Sequence, residues 1–112
     1  MSTRLNAAPQ NRNADGIVGV SGWIDLRNAS TAWLTLESWL LDADTDGEIQ
    51  IGSDEEGWVS VLGIQPATGW AVIEVDLEPW LGRLVRLRFV HRDPAGVTHG
   101  IWRVRNVQVE TR

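Results

Sequence analysis

The sequence predicts an all-β fold, an antiparallel jelly-roll sandwich of about eight strands. Three observations carry the expectation. Apolar and polar residues alternate with a period of two in the long segments Ala32–Leu41, Trp70–Leu77 and Leu84–Val90. Turn signals made of Gly, Pro, Asp and Asn interrupt the chain every ~8–12 residues, the rhythm of a sandwich or barrel. No segment holds a sustained helical period. The one rival is Asp76–Phe89, where Asp76 could cap a helix and Pro79 sits near its start. Gly82 in its middle and the Arg/apolar alternation after it favour a strand.

Residues 1–15 (MSTRLNAAPQNRNAD) are polar and read as an N-terminal arm, and residues 16–112 as the sandwich domain. Ile17–Val20 and Trp23–Leu26 are the first two strands, followed by a turn at Asn28-Ala29-Ser30. Ala32–Leu41 is the longest strand, with Leu34, Leu36 and Leu40 on one face and Trp33, Thr35, Glu37 and Trp39 on the other. Ile49 and Ile51 mark the next strand, and Trp58–Leu62 follows the turn Ser53–Gly57. Pro66–Gly69 is a turn. Trp70–Leu77 then sets Ala71, Ile73, Val75 and Leu77 against Trp70, Val72 and Glu74. Glu78–Gly82 is a corner. Leu84–Val90 opposes Val85, Leu87 and Phe89 to Arg86 and Arg88. In the last strand, Ile101–Val109, the phase slips. Trp102 and Val104 share one parity, Val107 and Val109 the other, so a β-bulge at Arg105-Asn106 is expected. The core is then Leu34, Leu36, Leu40, Ile49, Ile51, Val59, Val61, Ile73, Val75, Leu77, Val85, Leu87 and Phe89 with several Trp.

Composition bounds the function. The chain has 112 residues, the size of one domain, with 43% hydrophobic and 22% charged residues. There is no Cys, which excludes disulfides, thiolate metal sites and Cys nucleophiles. The net charge is −5, the wrong sign for a phosphate-binding surface, so nucleic acid is not the expected partner. No apolar run approaches the ~18 residues of a membrane span, so no membrane insertion is expected. The N-terminus shows no apolar signal segment. All ten basic residues are Arg, and the aromatic set is seven Trp and one Phe.

Three groups of residues could carry chemistry. Trp33 and Trp39 share a strand face with Thr35 and Glu37, which is what a sugar platform needs: indole faces stack on the apolar faces of pyranose rings, and neighbouring polar groups fix orientation. The competing reading is Trp as core filler, and a third is a protein interface. The loop Asp42-Ala43-Asp44-Thr45-Asp46-Gly47-Glu48 has the Asp-x-Asp-x-Asp-Gly spacing that converges carboxylates on Ca²⁺, with Glu48 at the carbonyl-donating position. The bidentate Glu of a complete site is replaced by Ser53, so the expected ligands are Asp42, Asp44, Asp46 and Glu48 around a smaller Ca²⁺ site; the plain alternative is a solvated turn. Arg83, Arg86, Arg88, Arg92, Arg103 and Arg105 cluster late in the chain. Cross-strand pairs with Glu37, Glu74 or Asp76 are expected, the alternative being a surface for an anionic ligand or acidic partner. His91 and His99 flank one loop but define neither a metal site nor a base with a nucleophile, so no catalytic residues are assigned.

Four stretches in order resemble the bacterial extracellular jelly-roll domains related to MAM and carbohydrate-binding β-sandwich modules. They are Trp23–Leu26 with Ala32–Trp39; Gly47–Trp58; Gly69–Leu77 with Trp80-Leu81-Gly82 and Val85–Phe89; and Gly100–Val107. Arg105 stands where that pattern closes on an acid, and Asp54-Glu55-Glu56-Gly57 replaces its Asp-Gly-Gly turn. The resemblance implies a jelly roll, with Trp58, Trp70, Trp80 and Trp102 at structural aromatic positions. The expected function is a non-catalytic recognition module, extracellular or on a particle surface, that holds a glycan or a protein surface. The alternative is a self-assembling structural protein, a virion decoration protein or filament subunit, whose N-terminal arm adds a strand to a neighbour in a homo-oligomer.

Overall fold

A computed structural model describes residues 2–4, 16–41, 46–92 and 102–112. Among the described residues nine strands follow in chain order: β1 (Ser2–Arg4), β2 (Gly16–Val20), β3 (Ile24–Asp25), β4 (Ala32–Leu40), β5 (Asp46–Ser53), β6 (Val59–Ile64), β7 (Ala71–Asp76), β8 (Leu84–Arg92) and β9 (Trp102–Thr111). They build two antiparallel sheets. One has the order β1-β9-β4-β7, the other β2-β8-β5-β6, and β3 continues the β2 edge along β8. This is the expected all-β jelly-roll sandwich. No helix among the described residues is long and apolar enough to cross a membrane.

The alternation of β4 sets the plan. Ala32, Leu34, Leu36, Ser38 and Leu40 are buried, while Trp33, Thr35, Glu37 and Trp39 face outward. Ile49 and Ile51 of β5, and Val85, Leu87 and Phe89 of β8, meet this face from the other sheet, all fully buried. The helical rival yields to a single 3-10 turn, Glu78–Trp80, whose first amide donates to Asp76 Oδ1 at 2.9 Å. Gly82 then adopts φ +86°, a left-handed conformation that glycine takes without steric cost, and turns the chain into β8.

The bulge in β9 lies where the phase slip places it. Thr35 pairs with Gln108 and Glu37 with Arg105, so two residues of β9, Asn106 and Val107, face the single residue Leu36. Asn106 takes φ +55°. The extra residue brings Trp102, Val104, Val107 and Val109 all into the core.

Some core assignments change. Val59 pairs with buried Ile51 but lies on an edge strand and is 43% exposed, because no further strand covers it. Ile24, Leu26, Ala32, Ile64 and Trp102 join the core instead. Of the four Trp assigned to structure, Trp102 is fully buried and Trp80 packs against the core. Trp58 and Trp70 do not fill the interior, because each immediately precedes a strand at a position of outward parity. The β1 strand pairs with β9 of its own chain through Ser2↔Glu110, Thr3↔Val109 and Arg4↔Gln108.

Candidate functional site

The outward face of the β1-β9-β4-β7 sheet brings Trp33, Thr35, Glu37 and Trp39 together as their parity demands. Pairing then adds the flanking strands. Trp33 lies between Asp76 of β7 and Glu110 of β9, and Thr35 between Glu74 and Gln108. A groove of about 390 Å³ opens here, lined by Thr31, Trp33, Thr35, Glu74, Glu110 and Arg112. A second of about 350 Å³ is lined by Thr35, Leu36, Glu37, Val72, Asn106 and Gln108. Thr35 lines both, so the two lie side by side as a trough on the outward face of β4. Trp33 is 45% exposed at one end. Glu74 and Glu110 line the groove with it and make no ion pair to another described residue.

The far end is built differently. Trp39 meets Trp70 edge-to-face with centroids 5.9 Å apart. The Arg105 guanidinium lies 3.8 Å from the Trp70 ring centroid, and that of Arg103 lies 6.0 Å from Trp39. Arg105 Nε donates to Glu37 Oε2 at 2.6 Å, and Asn106 Nδ2 to Glu37 Oε1 at 3.1 Å. These two donors, with the Arg105 charge, hold the Glu37 carboxyl below its ordinary pKa. Glu37 is therefore an organiser of this corner, with both oxygens engaged, rather than an open hydrogen-bonding group. Trp33 and Trp39 stand six residues apart, roughly 20 Å along the strand, too far for one sugar ring to bridge.

The acidic loop gives less. Asp42 and Asp44 lie outside the described residues. Asp46 opens β5, and the Glu48 side chain accepts from Gln50 Nε2 at 2.7 Å and pairs with Arg92 at 2.5 Å. The Gln50 hydrogen bond is the main reason that the Glu48 carboxyl sits below its ordinary pKa, with the Arg92 charge helping against partial desolvation. No three His, Asp or Glu come together to hold a metal ion among the described residues. His91 is fully buried against Trp102, and His99 lies outside the described residues.

The late arginines divide into two uses. Arg105, Arg92 and Arg83 pair with Glu37, Glu48 and Glu56. Arg86, Arg88 and Arg103 lie over indole rings, and Arg105 does both. Sequence reasoning missed Glu74, Glu110, Arg112 and Gln108 at the trough, and Trp70 beside Trp39. Their signal is the strand register, which places them beside β4 but is not written in any local pattern.

No protein-family model and no curated protein matches the sequence. Solved structures do match in fold. A family 29 carbohydrate binding module variant complexed with mannohexaose superposes with TM-score 0.58 at 14% identity, over 99% of this chain and 91% of that one. The C-terminal domain of EclA, described as a sugar-binding protein, gives 0.55 at 14% identity, covering 98% of this chain and 77% of that one. A chain of infectious bursal disease virus, Gt strain, gives 0.64 at 12% identity, covering 99% of this chain but only 31% of the viral one. At such identities the likeness is one of fold.

Proposed function

We propose that the chain is a non-catalytic module that binds a neutral oligosaccharide along the outward face of the β1-β9-β4-β7 sheet. The observation that carries this is the half-exposed Trp33 indole at the rim of a trough whose walls are polar: Thr31, Thr35, Glu74, Glu110 and Arg112. An indole supplies the flat apolar contact for a pyranose face, and hydroxyl, carboxylate and guanidinium groups supply partners for sugar hydroxyls. Glu74 and Glu110 disfavour an anionic ligand here. The separation of Trp33 from the Trp39–Trp70 pair suits a chain of several sugars. The folds shared with a mannohexaose-bound module and a sugar-binding domain support the reading. Such a module works outside the cell or on a particle surface, where polysaccharide is met.

The test is titration calorimetry with mannohexaose and with gluco- and xylo-oligosaccharides of similar length. At least one is expected to bind, with Trp33→Ala weakening it by about tenfold or more, the loss of one aromatic contact of about 1–3 kcal/mol. Silence across the panel, or unaltered affinity in Trp33→Ala, refutes the reading.

A second reading, a self-assembling structural protein, is favoured by the fold shared with the viral chain. It predicts an oligomer by light scattering that deletion of residues 1–15 converts to monomer. An unchanged mass after deletion refutes it.

A further inference from the structure

The opposite surface, the outward face of the β2-β8-β5-β6 sheet, carries a second set of indoles that the sugar trough does not use. Arg86 sits between two of them, its guanidinium carbon 4.8 Å from the Trp23 ring centroid and 5.1 Å from that of Trp58. Arg88 lies 4.3 Å from Trp58 on the same side of the sheet. The stack is seated from below. A methyl at Gly52 would stand 3.1 Å from the Trp58 ring, so that indole rests directly on the β5 backbone. Beside the stack, Arg88 Nε donates to Gln50 Oε1 at 2.7 Å, and Gln50 in turn holds Glu48. Trp23 remains 54% exposed and Val20, opposite Arg88, 47%.

Charge is what sets this face apart. Glu48 is matched by Arg92, Glu56 by Arg83 and Asp25 by Arg27. Arg86 and Arg88 have no carboxylate partner among the described residues, in a chain whose net charge is −5. A guanidinium lying over an indole keeps its in-plane N–H groups for other partners; Arg88 gives its Nε–H to Gln50 and keeps its Nη pair, and such a pair matches the two oxygens of a carboxylate or sulfate. The exposed Trp23 face beside it offers an apolar plane. Two fixed anion forks next to a stacking plane are complementary to a sugar ring that carries an acidic group.

We propose that this face is a second binding site, for an anionic polysaccharide, with Arg86 and Arg88 holding its carboxylate or sulfate groups and Trp23 stacking on a ring. Nothing in it depends on the neutral-sugar trough of the other sheet. The overall negative charge repels polyanions, so retention of one reports a local site rather than bulk attraction.

The test is affinity electrophoresis of the full chain in native gels containing polygalacturonate, dextran sulfate or neutral dextran at low salt. One or both anionic polymers should retard the protein and neutral dextran should not, and the retardation should fall as salt rises. Which polymer works distinguishes carboxylate from sulfate. The double variant Arg86→Gln/Arg88→Gln should weaken retention by about tenfold or more, as expected for losing charge-assisted hydrogen bonds. Trp23→Ala, a change at an exposed side chain, should weaken it as well with an unchanged circular dichroism spectrum, and Trp33→Ala should not. Absence of retardation by both polyanions overturns the proposal, as does equal retardation of the parent, the Arg double variant and Trp23→Ala. Tighter binding of a single-stranded oligonucleotide than of either polymer also overturns it. So does a dimer that Trp23→Ala dissociates without any polysaccharide retention, which would assign the face to a second copy.

Discussion

Replacing Ser38 by Ala removes one oxygen from the middle of the sandwich. Ser38 lies on the inward face of β4, 3% exposed, and its Oγ accepts the indole N–H of fully buried Trp102 at 2.8 Å. The ring is fixed on its other sides by Phe89, His91 and the close approach of Gly47, whose added methyl would stand 3.2 Å from two of its carbons. It therefore cannot swing to find another acceptor. Alanine leaves almost the same volume but orphans a buried donor, which costs about 1–3 kcal/mol. In a domain of this size 1 kcal/mol corresponds to roughly 5 °C in Tm, so the variant should melt about 5–15 °C lower. Thermal and urea unfolding followed by far-ultraviolet circular dichroism measure it. The double cycle with Trp102→Phe isolates the cause. Phe has no N–H to orphan, so Ser38→Ala should cost little in that background. A Ser38→Ala variant within about 0.5 kcal/mol of the parent, the range of a neutral surface change, or an equal loss in both backgrounds, refutes the reasoning.

The bulge gives a second prediction: at Asn106, φ +55°, Gly should cost only the exposed hydrogen bond to Glu37, about 0.5–1.5 kcal/mol, whereas Val should lose that bond and add about 1–2 kcal/mol of left-handed strain, read by urea denaturation. Gly47→Ala should destabilise by about 1–3 kcal/mol, since the rigid Trp102 ring and Ile64 Cβ would block the methyl, while Gly52→Ala should cost less because surface Trp58 can lift; comparative melting curves decide. The Asp25 carboxylate accepts from the Arg27 guanidinium and main chain, and these hydrogen bonds lower its pKa to about 2. A depressed folded-state value means the pair's contribution is present above the ordinary Asp range, about 4, and disappears as pH falls towards 2. Carbon-detected NMR titration should show that midpoint, and Arg27→Ala should return it towards the ordinary Asp value.

The periodic parts of this fold are legible in the sequence because a strand's faces follow from parity alone. Leu34, Leu36 and Leu40 against Trp33, Thr35, Glu37 and Trp39 is a local pattern, and the β9 slip is a local break in one. What parity cannot supply is register. Glu74 and Glu110 come to line the groove with Trp33 only because β7 and β9 pair with β4 at Thr35↔Glu74 and Trp33↔Glu110, a matter of long-range closure. Half of the candidate site was therefore readable, the half on one strand. Strand position within a sheet is equally non-local. Val59 has the sequence of a core residue and the exposure of an edge residue because β6 ends its sheet. Trp58 and Trp70 mislead for a related reason: each lies just outside an apolar run, where pattern matching sees a strand-end aromatic and pairing sees an outward position.

The seven tryptophans are distributed between the interior and the two outer faces. Trp102 alone is fully buried, and Trp80 packs on the core margin. Trp33, Trp39 and Trp70 lie on one outward face, Trp23 and Trp58 on the other, so most of the indole surface was never needed to fill the interior. Leaving an indole in water gains no stability, whereas a charged side chain there would be well hydrated. The contacts that these outer rings make instead restrict them: Trp39 by Trp70, Trp70 by Arg105, Trp58 by Gly52 beneath it and by Arg86 and Arg88 alongside. A ring already held in place loses little rotamer freedom when a ligand lands on it, and a saving of about 0.5–1.5 kcal/mol per immobilised side chain goes directly into affinity. Among the described residues Trp33 has no aromatic or guanidinium contact of this kind. For the proposed sugar site, Trp39 and Trp70 are then the fixed contacts and Trp33 the adjustable one, so Trp33→Ala should reduce affinity without altering the melting temperature, whereas Arg105→Ala should loosen Trp70 and Glu37 together and reduce both.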